Sequence, residues 1–577
     1  MSSPTVRRPG TGPVLVLGDD TRSFLATVRS LGRKGLEVHA VPFHFDGPAL
    51  KSRYVQQVHR IPYYLGDGKA WLEAMQGVVA EHGIEFIIPC EERSLLPLRR
   101  HRDAFAQCKL GIVNDAAFDA FFDKASTHAL AERCGVPSPS LEDVTQASSA
   151  EDLVLRLGLP LACKWNQSYT WPDLYVRTKV AIVHSAEDLR KWLSRAAKES
   201  GRTSVEAFAP GFGLGVSVLA HEGKILQAFE HHRVNELDGA SFLRVSRPVH
   251  AERLKAVERM AAAVNMTGIA MFEFKHDAAT EQWALLEVNA RPWGSMPLPV
   301  ALGVDFPAQF HALLCKGEAP TQTSYAFGIM GRNLIPDLQQ LRMRLKETSR
   351  LGALLGALAW TAGLLRRALG REHWDVWTAD DPQPGRSELL GFVQSVKAKL
   401  MPARPLAGAQ RPAIDAKRDD HAPSRVIFVC LGNICRSPYA AERAKQLLQQ
   451  AGLKGWEVRS AGTLPRQPRP SPALAIECAG RRGVDLLEHR STTLDFEWVE
   501  WADQLVVFDD TIRDALLARH PEARTKLRTW SELSPGAAAA GGVADPFGKE
   551  RSAFEHAYAQ IDSVLSSWIS AFRGRQP

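Results

Sequence analysis

Cysteine is scarce in this chain and poorly spaced for structural chemistry. The eight cysteines among 577 residues (Cys90, Cys108, Cys134, Cys163, Cys315, Cys430, Cys435 and Cys478) form no metal-ligand pattern. That excludes a disulfide scaffold or a zinc ribbon, and it points to a reducing, cytoplasmic setting. Aromatic residues make up 8% of the chain and are not interleaved with basic runs, and a net charge of +7 is mild for this length. Nucleic acid is therefore not an expected partner. The polar stretch Met1–Gly12 leads into no signal-peptide core. Long apolar runs are missing with one exception, Leu351 to Leu365, flanked by Arg350, Arg366 and Arg367. As a helix this run is about 22 Å long, short of the roughly 30 Å hydrocarbon layer. A buried or surface-docking helix is expected rather than a membrane span. The alternative is an interfacial anchor, with the arginines of 350–367 against lipid head groups.

With 45% apolar and 23% charged residues, the composition is that of an ordinary globular protein. The length exceeds what one core supports, so several domains are expected. The reading is an α/β multidomain protein. A parallel-sheet α/β domain spans 1–108 and an α+β domain 109–317. A helical extension covers 318–400 with an irregular break at Asp375–Pro384. A linker spans 401–424, and a C-terminal α/β domain with a central parallel sheet spans 425–577. In the first domain, Pro13–Leu17, Leu36–Val41 and Ile84–Pro89 read as first, second and third strands, with a helix from Ser23 to Gly35. Gly18-Asp19-Asp20 lacks the spacing of a dinucleotide fingerprint. Glu91 and Glu92 follow a strand end. They are read either as ligand contacts there or as the acidic start of a helix.

The most informative stretch is Val426 to Pro438, Val-Ile-Phe-Val-Cys-Leu-Gly-Asn-Ile-Cys-Arg-Ser-Pro. A buried strand runs into Cys430, a tight loop follows, and Pro438 falls in the first turn of a helix. Such a loop aims successive N–H groups at one point, a geometry that binds phosphate. Loop amides, the helix dipole and Arg436 all favour a thiolate at Cys430, and the planar Arg436 fork suits two phosphate oxygens. This stretch resembles the low-molecular-weight protein tyrosine phosphatases, from about Arg425 to the C-terminus. The resemblance implies that Ser460 and Asn433 brace the loop and that His489 belongs to the supporting network. Asp545, in Asp-Pro-Phe547, becomes the general acid, and Ser437 hydrogen-bonds the Cys430 sulfur. Catalysis would proceed through a cysteinyl phosphate with no metal or other cofactor. Cys435 would form a reversible disulfide with Cys430. Ile434 favours phosphotyrosine over phosphoarginine, and the lack of a second later cysteine beside Cys478 disfavours arsenate reduction. Leu464–Pro470 replaces the aromatic wall common in bacterial members. Phe547 then supplies one wall, and Arg466 and Arg469 either welcome an acidic substrate or belong to a solvated loop. The expected partner is a phosphorylated protein (phosphotyrosine) or another phosphomonoester.

Upstream, Asp123-Lys124 opens a helix and a strand from Leu159 delivers Lys164, two lysines able to converge on one polyphosphate. Val205-Glu206-Ala-Phe208 is a strand that breaks at Pro210-Gly211 and leads into Gly213–Leu219, read as a hairpin-like return. Glu287 and Asn289 share one face of a strand, and Glu273 lies beside them if the strands pair. Two carboxylates and an amide oxygen suit Mg²⁺. Arg291 sits two residues further along that face.

This order of motifs, ending in Glu-Val-Asn-Ala-Arg-Pro, resembles the ATP-grasp superfamily, in its carbamoyl-phosphate-synthase and biotin-carboxylase branch, over about Gly12 to Gly317. The resemblance implies ATP and Mg²⁺ (or Mn²⁺) as cofactors. Lys124, Lys164, Glu206, Phe208 and Arg291 would bind ATP, while Glu273, Glu287 and Asn289 bind the metal. The implied reaction joins a small-molecule carboxylate to an amine through an acyl phosphate. Trp165–Trp171 replaces the glycine-rich lid of many members. The segment from His231, His232 and Arg233 to Arg244 is read as a holder of the substrate carboxylate. The alternative is a non-catalytic nucleotide sensor regulating the phosphatase.

Overall fold

The computed structural model describes residues 10–45, 47–64, 67–144, 149–169, 174, 178, 180–197, 202–237, 240–347, 365–400, 425–464, 469–533 and 542–573. The chain divides into two compact units. One comprises residues 1–42, 47–61 and 72–400, the other residues 43–46, 62–71 and 401–577. The architecture is multidomain α/β. The apolar run over 351–364, the 401–424 linker and Arg466 lie outside the described residues. Among the described residues, no helix is long and apolar enough to cross a membrane.

Among the described residues, the first unit holds three sheets. β1 (Val14–Leu17), β2 (Val38–Val41), β3 (Val55–Val58), β4 (Phe86–Pro89) and β5 (Lys109–Leu110) form a parallel sheet in the order β3-β2-β1-β4-β5. β1 and β4 are buried along their whole length, which is why both read as unbroken apolar runs. The strand expected to be third is therefore fourth. β3 is Val-Gln-Gln-Val with three of its four residues exposed, so it carries no apolar signal. Asp20 starts the helix Ser23–Arg33, accepting the backbone N–H groups of Arg22, Ser23 and Phe24 at 2.8, 2.7 and 3.1 Å.

β6 (Leu141–Asp143), β7 (Leu161–Trp165), β8 (Ala181–Val183) and β9 (Thr203–Ala207) make a small antiparallel sheet, ordered β6-β9-β7-β8. The third sheet has seven strands. They are β10 (Phe212–His221), β11 (Lys224–Leu237), β12 (Ala240–Arg247), β13 (Gly268–Asp277), β14 (Gln282–Asn289), β15 (Met330–Arg332) and β16 (Glu372–Trp374), in the order β14-β13-β10-β11-β12-β15-β16.

Two expectations are corrected here. The stretch Gly213–Leu219 does not return along β9. It is part of β10, which leaves the small sheet at Gly211 and pairs with β11 and β13. Gly211 has φ +94°, and a Cβ there would sit 2.0 Å from the His276 carbonyl oxygen, so the chain can turn between sheets only at glycine. The 318–400 segment is not purely helical, because it adds β15 and β16 to the edge of the large sheet. Three-residue strands are too short to show periodicity, and their charges are paired internally. Arg332 on β15 bonds Glu372 at 2.6 Å and also Asp337.

The irregular stretch after β16 is an anchor. Arg29 Nε donates to Asp381 Oδ2 at 2.9 Å, and its Nη groups donate to the carbonyls of Asp375, Val376 and Asp381. Ser52 Oγ and the Arg53 N–H also donate to Asp381. Both side chains of the Arg29–Asp381 pair are buried, whereas Arg33–Asp380 is more than one-third exposed on both sides.

The second unit is built on four parallel strands, β17 (Arg425–Cys430), β18 (Glu457–Gly462), β19 (Gln504–Val507) and β20 (Leu527–Thr529), ordered β18-β17-β19-β20. The helices Arg436–Gln450 and Arg551–Arg573 pack on one face, where Tyr439 and Tyr558 stack with centroids 3.8 Å apart.

Removing the carboxylate from the buried anchor leaves an uncompensated guanidinium. Asp381→Ala is expected to cost about 3–5 kcal/mol, against about 1 kcal/mol for Asp380→Ala. Urea denaturation of the full chain, followed by the transition of the first unit, compares the two.

Candidate active sites

In the second unit β17 carries Cys430 to the centre of the sheet, and residues 431–435 turn back so that Arg436 begins the following helix. Asn433 occupies the turn with φ +51°, a conformation asparagine tolerates better than most residues. Its N–H donates to Cys430 Sγ at 3.2 Å. Its Nδ2 donates to Ser437 Oγ and Ser460 Oγ, both at 2.9 Å, and its Oδ1 accepts the Thr492 N–H at 2.7 Å. His489 Nε2 donates to the Asn433 carbonyl at 2.7 Å. Burial lowers the pKa of this histidine, while the bond to Asn433 opposes the shift. Ser437 Oγ lies 3.0 Å from Cys430 Sγ. Gly462 lets the two strands close on the loop, since a Cβ there would meet Asn433 N and Leu431 O at 3.0 Å.

Arg436 is buried to 2% exposure. Its Nη1 donates to Asp509 Oδ2 and to the Val543 carbonyl, each at 2.8 Å, and its Nη2 pairs with Asp545 Oδ2 at 2.9 Å. Asp545 is 39% exposed, and Phe547 beside it 56% exposed. Asp509 is a partner that sequence reading missed. Its only signal was its position before a helix, which it also caps through Ile512 N. Cys435 is buried, and burial, then the neighbouring Cys430, push its thiol well up. Cys478 is buried in the same cluster. Arg469 approaches the loop, its Nη2 3.2 Å from the point a Cβ on Gly432 would occupy.

In the first unit, β13 and β14 pair with Glu273 opposite Glu287 and Met271 opposite Asn289. Asn289 Nδ2 donates to Glu273 Oε1 at 3.0 Å and to Glu287 Oε1 at 3.4 Å. Arg291 Nη2 bonds Glu92 Oε1 at 3.1 Å and Asn289 Oδ1 at 3.4 Å. Burial raises the Glu273 carboxyl to about 7, with Arg233 opposing and Glu287 reinforcing the shift. Burial pushes Glu287 in the same direction, but the charges of Lys124, Lys164 and Arg233 outweigh it and hold this carboxyl below its ordinary range. Glu273, Glu287, Asn289, Arg291 and Arg233 line a cavity of about 310 Å³ together with Asp20, Arg22 and Glu91. Lys124 joins Glu287, Asn289 and Arg291 around an adjoining space of about 30 Å³. Two carboxylates converge beside the cavity, the ligand chemistry a hard divalent cation takes, while Asn289 turns its Nδ2 to both of them and its Oδ1 to Arg291, so that its oxygen joins the set only with the amide turned over.

Lys124 Nζ donates to the Trp165 carbonyl at 3.2 Å. Lys164, on β7, pairs with Glu206 Oε2 on β9 at 2.5 Å, and both are buried. Phe208 is 43% exposed just beyond β9. Glu91 and Glu92 stand at the acidic start of the helix Glu92–Arg100, and both also line the cavity.

The expectation that His231–Arg244 holds a carboxylate substrate is corrected. Arg233 is committed to Glu273 and to Glu236, the latter at 3.1 Å, and Arg244 to Asp375 at 2.5 Å. The sequence showed these cations without their partners, which lie 3 to 131 residues away along the chain. Arg22 was missed. It lines the cavity just past the β1 end, where α/β sheets place ligand contacts, and among the described residues it makes no close ion pair, although its charge acts on Glu388.

Asn433→Ala removes three side-chain bonds and places alanine at positive φ. Phosphatase kcat/KM is expected to fall about 10²–10³-fold, the size of a lost preorganised donor. Asn433→Gly should lose similar activity yet be about 1 kcal/mol more stable than Asn433→Ala, because glycine accepts the backbone conformation. Steady-state kinetics and thermal melts of both variants separate the two effects.

Residues 425–576 match the family model described as low molecular weight phosphotyrosine protein phosphatase. The chain is 33% identical over 148 residues to a probable low molecular weight protein-tyrosine-phosphatase, EpsP, of Ralstonia nicotianae, covering 26% of this chain and 95% of the relative. It is 32% identical over 143 residues to a protein-arginine-phosphatase of Geobacillus stearothermophilus, covering 25% and 92%. Among solved structures, the biotin carboxylase domain of Hydrogenobacter thermophilus 2-oxoglutarate carboxylase is similar over 55% of this chain and 73% of that one, at 16% identity and a TM-score of 0.45. Through residues 425–576, the chain belongs to the low molecular weight phosphotyrosine protein phosphatase family.

Proposed function

We propose that the chain is bifunctional, a cysteine-dependent phosphatase joined to an ATP-dependent carboxylate ligase. For the phosphatase, the carrying observation is the environment of Cys430, whose sulfur meets the Asn433 N–H and the Ser437 hydroxyl. Arg436 stands at the head of the next helix with Asp545 on its guanidinium. The Cys430 thiolate attacks phosphorus, the phosphorus–oxygen bond breaks, and Asp545 delivers its proton to the departing oxygen. Water then gives a proton to Asp545 and attacks the cysteinyl phosphate, releasing phosphate and regenerating the thiolate, which Ser437 stabilises. Arg436 and the loop amides hold the phosphoryl oxygens throughout. Exposed Leu431 and Phe547 beside the loop suit an aromatic phosphomonoester, and Ile434 supports phosphotyrosine over phosphoarginine. Arg469, against Gly432, supports an acidic flanking sequence.

For the ligase, the carrying observation is the convergence of Glu273, Glu287 and Asn289 beside a cavity that Arg291 also lines. These three residues would hold Mg²⁺, which when bound neutralises phosphate charge. Lys124 and Lys164 direct positive charge toward Glu287, and Arg291 is held at the cavity edge by Glu92. Among the described residues, Arg22 is the cavity-lining guanidinium outside an ion pair, and it would meet a substrate carboxylate, whereas Arg93, Arg233 and Arg291 are held by Glu91, Glu273 and Glu92. The sensor reading draws support from the closed pairs Lys164–Glu206 and Arg233–Glu273.

Cys430→Ser should abolish hydrolysis of p-nitrophenyl phosphate while leaving carboxylate-dependent ADP release intact. Glu287→Gln should do the reverse. Loss of both activities in either variant would contradict two separate centres. ATP binding without turnover, across a panel of carboxylates and amines, would favour the sensor.

Arg22→Met should raise the KM for the carboxylate at least tenfold, the loss of about 1.4 kcal/mol expected for one charged hydrogen bond. The KM for ATP should be nearly unchanged. An equal rise in both constants would remove Arg22 from substrate recognition.

A further inference from the structure

Away from both centres, three histidines from three elements converge at one side of the parallel sheet. His39 lies on β2, His59 just past the end of β3, and His82 is the last residue of the helix Lys69–His82. Each presents one ring nitrogen, and those nitrogens all lie within 4.8 Å of one another. His39 Nδ1 and His59 Nε2 are 2.8 Å apart. The rings pack with centroids 4.7 to 5.1 Å apart. His39 and His59 are buried, and the His82 side chain is 20% exposed.

Glu37 Oε1 lies 3.1 Å from His39 Nε2. A carboxylate there holds the hydrogen on Nε2 and leaves Nδ1 bare, facing His59. That is the arrangement by which outer carboxylates orient metal-bound imidazoles. Glu81 Oε1 stands 3.9 Å from His82 Nε2 on the more exposed side.

We propose that His39, His59 and His82 form a zinc site that clips the edge of the parallel sheet to its covering helix, with the fourth position open to water. Three imidazoles match a borderline-soft divalent ion. In a tetrahedral site with bonds of roughly 2.1 Å the ligand nitrogens stand about 3.4 Å apart. Reaching that spacing needs side-chain adjustment of an ångström or so, with the His59 hydrogen moving to its other ring nitrogen and no net proton release. The simpler alternative is a stack of hydrogen-bonded histidines that binds nothing. Neither proposed reaction uses these residues, so this site stands or falls separately from them.

The test uses the full chain with Cys430 and Cys435 changed to serine, so that thiolates do not compete for metal. Titration with Zn²⁺ against a chromophoric chelator should show one tightly bound equivalent. His82→Gln and His59→Gln should each weaken it at least tenfold, and Glu37→Gln about tenfold. Circular dichroism checks that the variants fold. If His59→Gln does not fold, the partly exposed His82→Gln decides alone. No bound equivalent, or an equivalent whose affinity survives His82→Gln, would overturn the proposal.

Discussion

Arg436 is 2% exposed, and a guanidinium keeps its charge wherever it is placed. The protein around it must therefore supply anions and acceptors, and Asp509 and Asp545 provide the first and the Val543 carbonyl the second. The same constraint governs the first unit. Glu273 and Glu287 stand opposite each other on paired, partly buried strands, an arrangement of like charge that cations nearby must offset. Arg233 meets Glu273, while Lys124 and Lys164 act on Glu287. Even the scaffold follows this rule, since Arg29–Asp381 and Arg244–Asp375 tie the stretch after β16 to the rest of its unit.

Charge compensation alone would not place a sulfur at the focus of a loop. Backbone geometry does that. A parallel strand buried on both faces ends at Cys430, and one left-handed residue, Asn433, reverses the chain so that its own N–H points back at the sulfur. Because the side chain of that residue bonds Ser437, Ser460 and Thr492, the strained position is held from three directions. The loop is thus made rigid by the residue that its conformation makes unusual.

How much of this was legible depended on whether a signal was local. The stretch from Cys430 to Ser437 is contiguous, and a strand, loop and helix start can be read from adjacent residues. Glu287 and Asn289 were placed on one face by period-two alternation, and the register with Glu273 followed once the strands paired. Partners distant in sequence were not legible. Asp509 lies 73 residues from Arg436, and Asp375 lies 131 from Arg244. Short polar strands were also hidden, because β3, β15 and β16 have no apolar run to mark them. The sheet change at Gly211 could not be inferred either, because a glycine break reads equally well as a hairpin.

The two centres differ in how much must change when an anion arrives. At the loop of the second unit, the Asn433 N–H and the Ser437 hydroxyl are already oriented toward the sulfur, so on the phosphatase reading a phosphoryl group exchanges for one carboxylate partner of Arg436. Little chain has to be reordered, which is the condition under which fixed dipoles stabilise charge most effectively. In the first unit, Lys164 is held by Glu206, and Arg233 by Glu273. On the ligase reading, a polyphosphate and its cation must open at least one of these buried pairs before Glu273 can serve as a ligand. Breaking a buried pair is costly unless a new partner takes its place in the same step. Nucleotide and metal would then enter together rather than in sequence, so coupled binding is a physical consequence of the same buried charges that hold these strands in register.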